Sequence, residues 1–376
     1  MVNIQNVFAL LQLFLFSVCF GLKPVIVLEQ VLFEGGSQGE VYAYRIPVAT
    51  LTPKGTVVVY VEARKYSRAD AKSKFLAGRS SVDGGYNWSE MAFLVSDFVT
   101  NDGINLGATL YNAEQSELLI MFTVCAHRLC ENGVTSNYML KSVDDGISWQ
   151  PPVDISKANP ALFNYSWTAG PGYGIQKKVE PHRGRLVVCG HTVNENYHGL
   201  DCIISDDQGV TWKRGASQPS LPKYGTIKSG GFFASEVQIV ELKNGSILFN
   251  ARNALKYQCA CRIILRSDDG GDTIAFDSIY FDATLVDPTD AGAILMHGDY
   301  LFFSNAANAS ARKNITLRWS ENEGKSWDGT LSIYPGEAAY STLTSVDENH
   351  VAVVYERSMN GKSDAGSIWF TLVKIN

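Results

Sequence analysis

The octapeptide Ser81-Val-Asp-Gly-Gly-Tyr-Asn-Trp88 decides how this chain folds, because it returns. Ser142-Val-Asp-Asp-Gly-Ile-Ser-Trp149, Ser205-Asp-Asp-Gln-Gly-Val-Thr-Trp212 and Ser320-Glu-Asn-Glu-Gly-Lys-Ser-Trp327 repeat it. A degenerate copy, Ser267-Asp-Asp-Gly-Gly-Asp-Thr-Ile274, lacks the Trp. Successive copies start 61, 63, 62 and 53 residues apart, and four of the seven Trp residues sit in them, so composition alone does not produce the pattern. The box reads as a hairpin turn. Asp or Asn bonds the backbone just ahead of it, and Gly supplies the positive φ. The Trp then packs back as a plug between neighbouring units.

One such hairpin per period means a repeat architecture. The runs Thr56–Val61, Leu118–Val124, Leu186–Cys189, Ile247–Asn250, Tyr300–Phe303 and Val351–Tyr355 are short and β-rich and recur once per period. They predict an all-β fold, a six-bladed β-propeller of four-stranded blades carrying the repeated Asp-box hairpins. The last blade would be closed by an N-terminal strand. Near-identical turns repeated around a propeller cannot all be active sites, so their Asp residues read as folding punctuation. The box is no EF-hand either, since it lacks ligands at alternating positions.

The chain has 376 residues, 45% hydrophobic and 19% charged, which excludes a disordered tail or a coiled coil. A net charge of −6 argues against a nucleic-acid partner but leaves room for a local basic pocket. Residues 1–21 carry no charged side chain and read as a secretory signal peptide cut after Gly21, leaving one domain over 22–376. Five sequons, at Asn87, Asn164, Asn244, Asn308 and Asn314, fit that route. Six cysteines then remain, an even count suited to an oxidising compartment. Cys125–Cys130 and Cys189–Cys202 are reasonable pairs among the 15 connectivities that six cysteines allow. A zinc site is not expected, because the Cys259-x-Cys261 pair has no second ligand pair or His at zinc spacing, and no other cofactor is expected.

In a propeller, residues far apart in sequence meet at the hub. Tyr44-Arg-Ile-Pro47, Glu62-Ala-Arg64-Lys, Asn250-Ala-Arg252 and Ala311-Arg312-Lys place arginines near strand ends. With the boxes, these segments resemble the sialidases, and more closely the animal lysosomal sialidase (neuraminidase) family. Asp102-Gly-Ile-Asn-Leu-Gly-Ala108, Cys125-Ala-His127 and Gly184-Arg-Leu-Val-Val-Cys-Gly-His191 extend the likeness, which runs from about Pro24 to the C-terminus.

The resemblance implies an exo-α-sialidase, a retaining glycoside hydrolase that releases terminal sialic acid from glycoproteins, oligosaccharides and glycolipids. Arg45, Arg252 and Arg312 would hold the substrate carboxylate, with Arg312 preferred over Arg318. Asp70 would be the acid/base, Tyr340 the nucleophile and Glu236 its general base. Glu356 would brace Arg45, and Arg64 would bind substrate near Asp70. Asn105 and Tyr173 would line the sugar pocket. The family further implies delivery to the lysosomal lumen, or secretion, and a protective serine carboxypeptidase as partner; between a monomer and a homo-oligomer the sequence leaves the choice open.

These residue types suit the chemistry. Guanidinium forks match a carboxylate and stay charged at any working pH. A neutral phenol avoids the repulsion that a carboxylate nucleophile would meet at a carbon already bearing a carboxylate. Ionising a free Tyr at pH 5 would cost ~7 kcal/mol, so a neighbouring base must take its proton. Sialidases are an exception to the two-carboxylate rule of glycosidases. A non-catalytic glycan-binding propeller would keep the boxes and lose the Tyr/Glu/Asp set, whereas a trans-sialidase would share every residue.

Overall fold

Each box closes the same hydrogen-bonded turn. In the first copy Ser81 Oγ donates to Asp83 Oδ1 (2.8 Å) and accepts the Gly85 N–H (2.8 Å), while Asp83 Oδ1 accepts the Asn87 N–H (2.9 Å). The sets Ser142/Asp144/Gly146/Ser148, Ser205/Asp207/Gly209/Thr211, Ser267/Asp269/Gly271/Thr273 and Ser320/Asn322/Gly324/Ser326 repeat those bonds. The box glycines sit at φ between 83° and 94°, where a side chain is strained. The tryptophans act as plugs. Trp88 packs edge-on against Phe370 (5.1 Å between centroids) and Trp149 against Tyr60 (5.7 Å), each from another sheet. Trp327 donates its Nε1–H to Asp282 of the preceding sheet (2.9 Å). In the degenerate copy Ile274 fills the same gap against the Val187–Phe249 cluster.

The structure is a computed structural model that describes residues 21–36, 39, 41–96, 101–131, 133–160, 162–163, 166–193, 198–221, 232–358 and 365–376. The signal segment 1–20, the Asn164 sequon and most of the loop before Glu236 lie outside these residues. The described chain is all-β, with one four-residue helix, Ile155–Ala158, and one 3₁₀ turn, Phe276–Ser278. All six predicted β-rich runs fall on or across observed strands. The sheets are arranged as a propeller, with apolar clusters between neighbours: Val58 and Tyr60 of one sheet pack on Leu106 and Ile120 of the next. Each such buried aliphatic or aromatic side chain contributes roughly 1.5–3 kcal/mol.

The expected count of six separate four-stranded blades is not what the hydrogen bonding gives. Among the described residues there are five sheets: two of four strands, two of five and one of seven. The cause is the 19-residue strand Gly329–Asp347. Its first half pairs with Lys313–Ser320 and its second half with His350–Ser358, so two arrays fuse without a break. The strand Val25–Glu34 does pair antiparallel with Ala365–Lys374, so the chain's two ends share a sheet.

Three disulfides are formed: Cys125–Cys130, Cys189–Cys202 and Cys259–Cys261. The first two are the pairs suggested by spacing. Cys189 and Cys202 face each other directly across antiparallel strands.

Three strands carry a bulge where the candidate residues lie. Pairing slips between Arg45 and Val48, between Ala234 and Val237, and between Ala338 and Ser341. A bulge bends its strand and re-aims a side chain, and these three bracket Arg45, Glu236 and Tyr340. Ile46 stands at φ 55°, a strained conformation for a β-branched residue. Its N–H donates to Glu356 Oε1 (2.8 Å), which holds the bulge open.

Candidate active site

The eight residues singled out from sequence converge on one network at the hub. Arg45 donates through Nε and Nη2 to Glu356 Oε2 (3.2 and 3.1 Å) and reaches Asp70 Oδ1 (3.4 Å). Glu356 is fully buried. Arg64 pairs with Asp70 Oδ1 (2.9 Å) and with Glu62 Oε2 (2.8 Å). Arg252 Nη1 donates to Glu236 Oε2 (2.6 Å) and to the Tyr340 oxygen (3.0 Å). The Tyr340 hydroxyl donates to Glu236 Oε1 (2.5 Å). Arg45 and Arg312 lie over the Tyr340 ring at 5.3 and 5.4 Å from its centroid. Arg312 also pairs with Asp290 Oδ1 (3.2 Å). A cavity of about 450 Å³ opens here, lined by Arg64, Asp70, Asn105, His191, Arg252 and Tyr340 among others.

Arg318 plays no part in this network. It bonds Asn305 (3.2 Å), whereas Arg312 lies over the Tyr340 ring. Tyr173 is also elsewhere: it lines a different cavity and its hydroxyl donates to the Ile294 carbonyl.

Several residues of the network escaped the sequence reading. Glu62 Oε1 accepts the Leu106 N–H (2.9 Å), and Lys74 donates to Asn105 (2.9 Å) and approaches Glu62 (3.5 Å). A signal for Glu62 existed, because it and Arg64 interrupt the apolar run Val57–Ala63 with the spacing of one strand face. Asp290 had none. It lies in a connection between strands, and only the fold brings it under Arg312.

The electrostatics divide the side chains by role. Burial pushes the Tyr340 phenol well above its ordinary value and the Glu236 charge pushes it further, so the free phenolate is not populated. Burial would raise Glu236 too, but the charges of Arg252 and then His191 outweigh it and hold the carboxyl below the usual range. A charged base thus faces a protonated phenol. For Asp70, partial burial raises the pKa while Arg64 and then Arg45 pull it lower, with a net depression. Burial disfavours the charge on Arg45 and Arg252, yet Glu356 and Glu236 respectively reverse this and keep both charged. The array therefore holds three guanidiniums around a neutral, base-paired phenol, with a carboxyl alongside. That arrangement can bind an anion and deliver an oxygen nucleophile to it.

Known proteins share this framework. A sialidase of Micromonospora viridifaciens is 26% identical over 351 residues, covering 87% of this chain and 52% of the relative, so the chain spans about half that relative's length. A solved structure, the Hadza microbial sialidase Hz136, superposes with a TM-score of 0.72 at 21% identity, over 91% of this chain and 67% of its own. The intramolecular trans-sialidase of Ruminococcus gnavus, solved with oseltamivir carboxylate, superposes with a TM-score of 0.75 at 16% identity, over 92% and 97%. The likeness thus holds at the level of sialidases at large rather than of the animal lysosomal group. Residues 102–353, well over half of the sequence and four of the five boxes, match the BNR repeat-like domain. The chain belongs to the BNR repeat-like domain family.

Proposed function

We propose that this protein is an exo-α-sialidase that cleaves terminal sialic acid from glycans with retention, using Tyr340 as nucleophile. The observation that carries the reading is the contact set Tyr340–Glu236–Arg252, with two further guanidiniums over the same ring. Arg45, Arg252 and Arg312 grip the sugar's carboxylate, each charged hydrogen bond contributing roughly 1.5–3 kcal/mol. The Tyr340 oxygen attacks the anomeric carbon while its proton passes to Glu236 Oε1. Asp70 gives a proton to the departing glycosidic oxygen, and the aglycone leaves as an alcohol. Water then attacks the same carbon, losing its proton to Asp70, and the Tyr340 oxygen departs and recovers its proton from Glu236. Two inversions give net retention.

Arg45 is shared between Asp70 and Glu356. A substrate carboxylate that engages Arg45 weakens its hold on Asp70 and lets that carboxyl take up the proton it must donate.

The substrates proposed are sialylated glycoproteins, oligosaccharides and glycolipids. The protein is proposed to reach the lysosomal lumen through the secretory route, or to be secreted, a reading supported by three disulfides. A protective serine carboxypeptidase is the proposed partner and a homo-oligomer the proposed assembly, tested by co-purification from lysosomes and by sedimentation. Release of a fluorogenic group from an α-sialoside at acidic pH, comparing wild type with Tyr340→Phe, tests the activity. Equal turnover in the two proteins removes Tyr340 from the mechanism, and none in folded wild type favours a glycan-binding module. The structural likeness to a trans-sialidase adds a second reading, transfer to the sugar's own hydroxyl, which NMR of the released sugar distinguishes.

A further inference from the structure

Each of the three carboxylate-gripping arginines has a carboxyl partner of its own: Glu356 for Arg45, Glu236 for Arg252 and Asp290 for Arg312. The third pair differs from the other two. Asp290 is fully buried, and its Oδ2 finds no hydrogen-bond partner. Its Oδ1 accepts the Ala291 N–H (3.2 Å) and meets Arg312. The neighbouring Arg262 guanidinium bonds the Asp290 main-chain carbonyl and is itself matched by Asp287 (3.2 Å), so it does not neutralise the Asp290 side chain.

We infer that Asp290 is a positioning residue that holds Arg312 as a neutral, protonated acid, so that the interlinked set of site side chains keeps one uncompensated positive charge for a monoanionic ligand. The charge count supports this. Five cations, Arg45, Arg64, Lys74, Arg252 and Arg312, are interlinked with five carboxyls, Glu62, Asp70, Glu236, Glu356 and Asp290. Ionise all five carboxyls and this interlinked set of ten side chains carries no net charge. Keep a proton on Asp290 and the surplus is a single charge, which a carboxylate ligand cancels.

The surroundings favour the proton on Asp290 over the other four. It has the orphaned oxygen, and burial is the first cause that pushes it up to about 8. Arg312 and Arg252 pull it down, whereas Asp287 and Glu356 push it up. Tyr340 faces it as a neutral phenol. Burial also holds His191 low, so that ring adds no further cation at neutral pH.

The inference rests on the site being a carboxylate pocket, and the test separates the two. Binding of free sialic acid is measured by calorimetry from pH 5 to 9 for wild type, Asp290→Asn and Arg312→Gln. Wild type is expected to weaken by about tenfold per pH unit above pH 8, as ionised Asp290 neutralises Arg312. Asp290→Asn, which mimics the neutral acid, is expected to match wild type at pH 6 and to stay flat. Parallel wild-type and Asp290→Asn curves overturn the inference, as does a loss at pH 6 as large as in Arg312→Gln. NMR titration of carboxyl-labelled aspartate in wild type needs no Asp290 variant to fold. It should show one Asp titrating near pH 8 that moves upward in Arg312→Gln; absence of any Asp titrating above pH 6 overturns the proposal. A wild type that binds no sialic acid at any pH sinks the functional reading instead and leaves the NMR arm to judge Asp290.

Discussion

The Tyr340 hydroxyl lies 2.5 Å from Glu236 Oε1, although 104 residues separate them in sequence and each comes from a different sheet. Arg252 touches both partners, at 3.0 and 2.6 Å. Because Arg252 keeps Glu236 ionised, the proton of the phenol has a receptor within one hydrogen bond. Glu236→Gln keeps the shape and removes the basicity. It should lower kcat by about 10²–10⁴ while changing KM far less. Steady-state kinetics with a fluorogenic α-sialoside measure this, and a variant that keeps wild-type kcat would remove Glu236 as the base.

Glu356 does two things: it pairs with Arg45 and it accepts the N–H of the strained Ile46. Glu356→Ala leaves a mostly buried guanidinium unmatched and frees the bulge that aims it. Such a broken buried pair costs about 3–5 kcal/mol. The expected result is a lower urea midpoint together with a higher KM. A stable variant with raised KM alone would mean that Glu356 orients Arg45 without supporting the fold.

Arg312 and Arg318 provide an internal control. Only the first lies over the Tyr340 ring; the second bonds Asn305. Removing one charged hydrogen-bonding partner should raise KM about 10- to 100-fold in Arg312→Gln. Arg318→Gln should leave KM within a factor of about two and act on stability instead. Paired KM measurements decide, and equal effects would place the third grip elsewhere.

The boxes and the Arg-Ile-Pro of the strand Ala43–Leu51 were legible because they are local: a turn needs Ser, Asp and Gly at fixed offsets whatever the rest of the chain does. The pairing partners of the arginines were legible only through resemblance: Glu236 meets Arg252 from the neighbouring strand of the same sheet, whereas Glu356 meets Arg45 only through the closure of the propeller. Asp290 and Lys74 carry no local pattern at all. The fused sheet was missed for a related reason. Gly329–Asp347 runs on through Pro335 and Gly336, residues that ordinarily interrupt a strand, and its register slips absorb the bend.

Asp144 tests whether the boxes are structural. Hydrogen bonds from Ser148, first its side chain and then its backbone, and from Ser142 hold its carboxyl down at about 2. A depressed folded-state pKa contributes stability above the unfolded value near 4 that is lost as pH falls toward 2. Asp144→Ala should therefore lower the melting temperature at pH 6 and lose less relative to wild type at pH 2.5. KM should be unchanged, since no box residue lines the cavity. A changed KM in a folded variant would give the boxes a role beyond the turn.

Asp290 gives the opposite slope. A carboxyl pushed up to about 8 in the folded protein holds its proton between that value and the unfolded value near 4. Across this window the folded state binds more protons than the unfolded state, so the contribution of Asp290 to stability falls as pH rises. Asp290→Asn cannot ionise and removes that slope. The variant should gain on wild type between pH 5 and 8, by at most about 1.4 kcal/mol per pH unit, and the difference should level off above pH 8. Urea unfolding at pH 5, 7 and 9 measures the trend. A gap that is constant with pH would show that Asp290 is ionised throughout, and Arg312 and Asp290 would then form an ordinary ion pair with no charge to spare for the ligand.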